Sequence, residues 1–325
     1  MNLYICGNGF DLYHGLKTKY SDYKTFLESH YKWDSFFVDI PKHFENAQYL
    51  DCNKERWSDV EQSMTINFND YADSYVDAFF QDRVHPDDPE YEDKLKKIFS
   101  KKCDSSFLND LYYFTGTCLY DWIKSIDIKS EINGLNIDNS GVFVTFNYTD
   151  TLEQLYNISE KQILHIHGRM KKINSSELQK YTILSNGNRV TEDWGQIAHF
   201  EMQFGTNKND PEEVKGMLQN EFSKHLDEKR YADLIEECEN YARVAFKNTN
   251  KNINKLETFL QNADIDKVIV MGHSLQGMDI TYYENFFIPH YGNKMWSIYC
   301  HGDNGKKDAE AFITKYGLNG KIRSW

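Results

Sequence analysis

Residues 3–11, LYICGNGFD, decide the fold of this chain because they join an apolar run to a glycine pair. The apolar residues predict the first strand of an α/β sheet, and the glycines predict a sharp turn from that strand into a helix. Glycine has no Cβ, so the amides of Gly7, Asn8 and Gly9 are expected to bind a phosphate or pyrophosphate. Leu12 replaces the third glycine of a dinucleotide fingerprint, so a plain strand-to-helix turn is the alternative.

The composition limits the classes of partner. The chain has 325 residues and a formal net charge of -13, which argues against a long, non-specific grip on DNA or RNA but is compatible with one bound nucleotide. Its 6 cysteines show no C-x-x-C spacing, so neither a zinc site nor a disulfide framework is predicted. The sequence shows neither a secretion signal nor about 18 consecutive apolar residues. We therefore expect a soluble, cytoplasmic protein without a membrane partner.

The order of the apolar patterns predicts an α/β, Rossmann-like fold with a mostly parallel sheet and a large helical insertion. Residues 20–133 carry apolar side chains at helical spacing and interrupt the succession of strands. We therefore predict a helical insertion at 20–133 and a Rossmann-like nucleotide-binding core made of 1–19 and 134–325. The strands predicted after the insertion lie at 142–146, 163–166, 181–184, 267–271, 295–300 and near residue 322.

Polar residues follow several of these strands, at the edge where ligands bind in parallel α/β sheets. They are Asn147, Asp150, His165, His167, Gly272, His273, Ser274 and Asp279. The Asn147 amide can hold a water or a sugar hydroxyl, although turn capping is its alternative, as helix initiation is for Asp150. His165 and His167 are two residues apart, so on a strand both would face one side, as a general base, structural histidines or metal ligands. No third ligand has convincing spacing, and we predict no metal.

One further motif points to a different chemistry. Residues 272–277, GHSLQG, nearly match the G-x-S-x-G nucleophile elbow of α/β-hydrolases, but Gln276 stands where the elbow needs a small residue. A hydrolase triad would also leave the motifs around Gly7, Asn147 and His167 without a role. We therefore do not favour this interpretation.

Taken together and in order, the motifs resemble the bacterial abortive-infection family AbiH, from Leu3 to about Phe287. The stretches that carry the resemblance are 7–16 with Tyr20, 57–61, 146–153, 165–168, and 272–275 with Asp279. The chain also resembles, more distantly, the sirtuin-like NAD-consuming domains of antiphage systems. Asn147 matches the asparagine of their Thr-x-Asn-Tyr-Asp motif and His167 their His-Gly, whereas Asp11 replaces a serine. This resemblance implies a Rossmann-like sheet with an inserted helical part.

The resemblance implies an antiphage effector that hydrolyses NAD to nicotinamide and ADP-ribose when infection triggers it, with NAD as substrate and no required cofactor. Asn147 would hold the water or a ribose hydroxyl, and His167 would be the general base, oriented by His165 or Asp150. The binding residues would be Gly7, Asn8, Gly9, Phe10, Asp11, His14, Gly272, His273, Ser274 and Asp279.

Two other functions stay open at this point. The chain could be a non-catalytic sensor of NAD, ADP-ribose or a related nucleotide, or an enzyme acting on RNA or another nucleotide. A phage-derived trigger and a second copy of the chain are the macromolecular partners compatible with the effector hypothesis. Trp57, Asp59 and Glu61 would serve control or reach into the site, with helix packing and capping as the alternative.

Overall fold

The structure is a computed structural model of the chain. The residues that it describes are 1–31, 60–65, 89–90, 113–129, 135–169, 184–185, 188–189, 203–208, 210–223, 232, 235, 238–239, 242–243 and 246–325. Most of the predicted insertion lies outside these residues, including Trp57 and Asp59, and so does most of the strand predicted at 181–184. The boundaries of the insertion therefore stay a prediction.

The described residues contain eight strands, six of which form one sheet. The strands are β1 (Asn2–Cys6), β2 (Val142–Thr145), β3 (Ile163–His165), β4 (Leu184–Ser185), β5 (Asn188–Arg189), β6 (Lys267–Met271), β7 (Met295–Cys300) and β8 (Asn319–Ser324). The sheet has the order β3-β2-β1-β6-β7-β8, and every neighbouring pair in it is parallel. The short strands β4 and β5 pair only with each other and are antiparallel. The predicted α/β, Rossmann-like fold is thus confirmed.

The middle of the sheet is buried because its strands are continuous apolar runs. Leu3 lies opposite Val142 on one side and Val268 on the other, and all four apolar residues of β1 are buried. Parallel strands of this kind are covered by helices on both faces. Separate apolar clusters indeed lie on the two faces of β1, since Leu3 and Ile5 belong to one cluster and Tyr4 and Cys6 to the other.

Ten α-helical segments are described. They are α1 (Asn8–Tyr13), α2 (Tyr20–Tyr31), α3 (Val60–Ser63), α4 (Cys118–Ser125), α5 (Thr151–Tyr156), α6 (Pro211–Phe222), α7 (Thr249–Leu260), α8 (Ile280–Tyr282), α9 (Ile288–Tyr291) and α10 (Gly302–Tyr316). A π-helical turn, Tyr283–Phe287, joins α8 to α9, and another, Tyr113–Thr117, precedes α4. Within the part of the chain described here, no helix combines the length and the apolarity needed to span a membrane.

The order in which the strands are added to the sheet reverses between β1 and β6. The strands β2 and β3 follow β1 on one side, and β7 and β8 follow β6 on the other. The loops after β1 and β6 are in direct contact. The amide of Gly7 donates to the carbonyl of Met271 (3.0 Å), and the amide of Gly9 donates to that of Gly272 (2.7 Å). A Cβ on Gly9 would lie 2.7 Å from Gly272 Cα, and Gly272 itself has a φ of +61°. The crevice at such a switch point is where open α/β sheets bind their ligands.

This close approach predicts the effect of a single methyl group. Gly9→Ala should lower the free energy of unfolding by about 1–3 kcal/mol, because neither backbone can move away without breaking the bond between the two loops. Gly216→Ala is the matched control, since Gly216 is an exposed residue of α6 whose added Cβ meets nothing within 4 Å. Alanine should stabilise that helix by about 0.5–1 kcal/mol. Urea unfolding measures both changes, and a Gly9→Ala midpoint equal to that of the wild type would contradict the prediction.

Candidate functional site

A cavity of about 900 Å³ opens at the carboxyl ends of the strands, beside the switch point. Its wall is made by the loops after β1, β2, β3 and β6, together with residues from α2, α3 and α4. The predicted site residues that line it are Asn8, Gly9, Asp11, Asn147, His167, Gly272, His273, Ser274 and Asp279. The structure therefore brings most of the polar residues that follow the strands to one cavity.

Several predicted residues do not line this cavity. Phe10 and His14 turn toward α5, where His14 Nε2 lies 2.6 Å from the Tyr156 hydroxyl and Phe10 packs against the Tyr156 ring. Gly7 lies behind the cavity wall, and its carbonyl accepts the side-chain amide of Asn147. Contact with a ligand, as predicted for Phe10 and His14, would require them to leave these partners.

The two histidines that were predicted on one face of the third strand have different surroundings. β3 ends at His165, and the chain turns at residues 166 and 167, so the strand alternation that would place both on one face does not continue. His165 Nε2 lies 2.9 Å from Glu153 Oε1, whereas His167 reaches the cavity. Asp150 pairs with Arg169 at 3.2 Å. The structure thus does not bring His165 and Asp150 to the cavity, and neither of them contacts His167.

His165 belongs to a separate cluster of ionisable side chains. Among the residues described, Asp150, Glu153 and His165 are the one set of histidine, cysteine and acidic side chains close enough to share a metal ion. The Arg169 guanidinium already neutralises part of its negative charge. A cation beside the same carboxylates would be repelled, so the cluster is explained as an ion-pair network.

His167 is the predicted base, and its surroundings keep it neutral. It is 2% exposed, and its Nε2 lies 3.3 Å from the Tyr282 hydroxyl and 3.6 Å from Asp279 Oδ1. Burial, and then the Lys247 ammonium, hold the pKa of His167 well below its ordinary value. A neutral imidazole at neutral pH can accept a proton.

Asp279 lies between two histidines. Its Oδ2 is 3.5 Å from His273 Nε2, and its Oδ1 faces His167. Burial alone would raise the pKa of Asp279, but the Lys247 ammonium and the two histidines hold it well below its ordinary value. Asp279 is therefore a carboxylate at neutral pH.

The helix that follows Asp279 completes this arrangement. Tyr282 ends α8 and Tyr283 begins the π-helical turn, and the two hydroxyls reach different histidines. The Tyr282 hydroxyl lies 3.3 Å from His167 Nε2, and that of Tyr283 lies 3.1 Å from His273 Nδ1. A π-turn inside a helix often occurs at a functional site, since it redirects consecutive side chains.

Asn147 is fixed by bonds to its neighbours. Its backbone amide donates to Thr145 Oγ1 (3.1 Å), and its side-chain amide donates to the Gly7 carbonyl (3.0 Å). The side-chain oxygen has no hydrogen-bond partner among the described residues. Asn147 thus presents an acceptor in a preset orientation beside the cavity.

Asp11 is a buried acid at the floor of the same cavity. It is 1% exposed, and its Oδ2 accepts the Thr149 hydroxyl at 2.5 Å. Its Oδ1 has no partner among the described residues. Burial raises the pKa of Asp11 to about 6, and the hydroxyls of Thr149 and Thr151 oppose this only in part.

Lys247 is among the charged residues of the cavity that no sequence motif identified. This lysine is 3% exposed, and its Nζ lies 2.6 Å from Oε2 of Glu61, a residue of the predicted insertion. Tyr148 donates to the other Glu61 oxygen at 3.2 Å. Burial raises the pKa of Glu61 despite the ammonium beside it. Lys247 lies just before α7 and belongs to none of the sequence motifs, so no sequence signal could have identified it.

Two of the three backbone amides that were predicted to bind an anion already have partners in the chain. The amides of Gly7 and Gly9, predicted to bind an anion, both donate to carbonyls of β6 and its loop. Of the described residues that line the cavity, Lys19 and Lys247 are the cationic ones. An anionic ligand would therefore meet these lysines.

The raised pKa of Asp11 predicts a dependence of stability on pH. The carboxyl group of Asp11 has a pKa of about 6 in the folded chain, against an ordinary value of 3.8. The protonated carboxyl group therefore stabilises the folded chain fully below pH 3.8, and this stabilisation is lost as the pH rises through 6. Relative to Asp11→Asn, the free energy of unfolding of the wild type should fall by about 3 kcal/mol between pH 3.8 and pH 6. Urea unfolding across this range tests it, with exposed Asp264→Asn as control. A constant difference between the wild type and Asp11→Asn would contradict the assignment.

Comparisons with known proteins agree with the motifs that line the cavity. The family model described as Bacteriophage abortive infection AbiH matches residues 3–299. Neither the curated proteins nor the solved structures give a match. The sirtuin-like similarity therefore stays a prediction. The match extends from Leu3 in β1 to Tyr299 in β7 and includes every residue that lines the cavity. The chain belongs to the AbiH family of bacteriophage abortive infection proteins.

Proposed function

We propose that this AbiH protein acts in abortive infection by hydrolysing NAD to nicotinamide and ADP-ribose. The observation that carries the proposal is the pair formed by Asn147 and His167 in the switch-point cavity. An oriented amide and a neutral, buried imidazole follow two adjacent parallel strands there. Both residues also match motifs of the sirtuin-like NAD-consuming domains that the chain resembles.

The size and lining of the cavity support a dinucleotide. Its volume of about 900 Å³ lies in the upper part of the range for small-molecule sites, about 300–1,000 Å³. Tyr20, Trp122, Phe146 and Tyr148 contribute aromatic surface to the wall. Such rings provide the faces on which a nicotinamide or adenine ring can stack.

Hydrolysis of the bond between nicotinamide and ribose does not require a strong acid from the protein. Nicotinamide leaves the ribose as a neutral molecule, because the electrons of the C1′–N bond return to a cationic ring. A water oxygen then bonds to C1′, and its proton passes to His167 and on to solvent. Asn147 would hold this water or a ribose hydroxyl through its side-chain oxygen. The carboxylate of Asp279 would favour the positive charge that develops on the ribose.

The two lysines are the groups that fit the pyrophosphate. Lys19 is exposed at the rim, and Lys247 is buried in the wall. Lys247 is paired with Glu61 in the structure, so a phosphate would compete with this carboxylate for the ammonium. That competition is consistent with an enzyme that stays silent until infection, which an NAD hydrolase must be if its host is to survive.

A non-catalytic sensor of NAD or ADP-ribose is the second candidate. The contact of Glu61 with Lys247 and Tyr148 favours this function. A ligand that binds Lys247 would change the ion pair of Glu61, which belongs to the predicted insertion. The net charge of -13 makes an enzyme acting on long RNA the least favoured function.

Release of nicotinamide from NAD by the purified protein tests the proposal. We expect release by the wild type and a loss of about 10²–10⁴-fold in kcat for His167→Ala, since this is the usual contribution of a general base. Asn147→Ala should also lose release. His301→Ala and Asn262→Ala are matched controls at exposed positions and should retain it.

The Asn147 variant needs a second form, because alanine also leaves the Gly7 carbonyl without its donor. Asn147→Ser keeps a hydroxyl donor of smaller size, and thermal unfolding shows whether each variant is folded. Two results together would favour the sensor over the hydrolase. The protein would leave NAD intact after incubation with infected-cell extract, and calorimetry would show tight binding of NAD that His167→Ala does not change.

The charge of Lys247 predicts a separate effect on binding. Lys247→Gln should weaken ADP-ribose binding by about 10- to 100-fold, because a charged hydrogen bond contributes about 1.5–3 kcal/mol. The double variant Lys247→Gln with Glu61→Gln avoids an unpaired buried carboxylate and should show the same loss. Lys251→Gln, at an exposed position of α7, is the control. Unchanged calorimetric affinity in the double variant would exclude Lys247 as the phosphate ligand.

A further inference from the structure

We infer that Asp279 is a positioning residue, which holds the proton of His167 on Nε2 and thereby leaves Nδ1 as the atom that accepts the proton of the attacking water. The inference rests on the proposed function for the reaction, but the protonation pattern itself can be observed without any substrate. It gives Asp279 a role different from the ligand contact expected from its motif.

Nε2 of His167 is the ring nitrogen that faces Asp279. Two oxygens face this nitrogen, Asp279 Oδ1 at 3.6 Å and the Tyr282 hydroxyl at 3.3 Å. An ionised carboxylate can only accept hydrogen bonds, so a hydrogen on Nε2 is favoured and a lone pair there would be repelled. The Tyr282 oxygen already accepts the side-chain amide of Asn252 at 3.0 Å, and it has a second lone pair for the imidazole.

Nδ1 is the other nitrogen of the His167 ring. No hydrogen-bond partner of Nδ1 occurs among the described residues, and His167 lines the cavity. A neutral imidazole with its hydrogen on Nε2 carries its lone pair on Nδ1. The basic atom of His167 is therefore the one that has no protein partner and is available to a ligand or water.

Both oxygens of the Asp279 carboxylate face imidazole rings. Its Oδ2 faces His273 Nε2 at 3.5 Å, and the Tyr283 hydroxyl lies 3.1 Å from His273 Nδ1. A neutral His273 satisfies both contacts if Nε2 donates to the carboxylate and Nδ1 accepts from the tyrosine. Asp279 thus lies between the Nε2 atoms of two imidazoles, each of which can direct an N–H toward the carboxylate. An acid that orients a histidine in this manner sets its tautomer without exchanging the proton.

Nitrogen NMR of the full chain with ¹⁵N-labelled histidine tests the tautomer. The spectrum of His167→Ala identifies the signals of His167 by difference. At neutral pH the wild type should show His167 with a protonated Nε2 and an unprotonated Nδ1. A hydrogen on Nδ1 of His167, or a doubly protonated ring, would overturn the inference.

The variant Asp279→Asn tests the cause. An amide can donate as well as accept, so His167 should lose its single tautomer, whereas exposed Asp264→Asn should leave the spectrum unchanged. A single Nε2–H tautomer that persists in Asp279→Asn would assign the orientation to Tyr282 and overturn the role of Asp279. The measurement on the wild type needs no variant of Asp279 and stands even if this one does not fold.

Kinetics connect the tautomer to the reaction. Asp279→Asn should lower kcat for nicotinamide release by about 10²-fold with KM within about twofold, since the base is misoriented while the binding contacts stay. An increase in KM at constant kcat would mark Asp279 as a ligand contact and overturn the positioning role. The expected tautomer in a protein that leaves NAD intact would instead refute only the proposed function.

Discussion

The contact between the backbones of Gly9 and Gly272 is the constraint on which the site depends. It joins the loops after β1 and β6 by a hydrogen bond of 2.7 Å and leaves no room for a Cβ on either residue. With these loops closed on each other, the cavity extends toward the ends of β2 and β3, where Asn147 and His167 lie. Gly9 therefore serves close packing against Gly272, and Lys19 and Lys247 are cationic residues in the wall of the cavity.

Lys247 acts on the protonation states of both His167 and Asp279, in addition to the burial that is the main cause of the low pKa of His167. Its ammonium lowers the pKa of His167 and that of Asp279, so one buried cation favours both a neutral imidazole and an ionised carboxylate. Interactions of this kind are strong in the cavity wall because the effective dielectric constant is lower there than in water. Glu61 is the counterion that makes burial of this lysine tolerable, since an unpaired buried ammonium would be costly.

The sequence was sufficient for the sheet and for the edge at which the site lies. Continuous apolar runs identified the central strands, and the polar residues after them, such as Asn147 and Asp279, identified the carboxyl edge. The directions of side chains beyond the strand ends were not predictable, because the alternation of a strand stops where the backbone turns. His165 and His167 show this, since a turn of two residues gives them different partners. Contacts between distant residues, such as Glu61 with Lys247, leave no local pattern at all.

The pairing of Glu61 with Lys247 also gives the family motif at 57–61 a physical connection to the cavity. Of this motif the structure describes Val60 and Glu61, and the glutamate reaches two residues of the core, Lys247 and Tyr148. Burial already raises the pKa of this carboxyl group, so its charge depends on the ammonium that it neutralises. Separation of the pair would leave a cation for an anionic ligand and would favour a protonated Glu61. Any event that displaces α3 therefore changes the charge of the cavity, and under the proposed function that change would act on the site where the pyrophosphate binds.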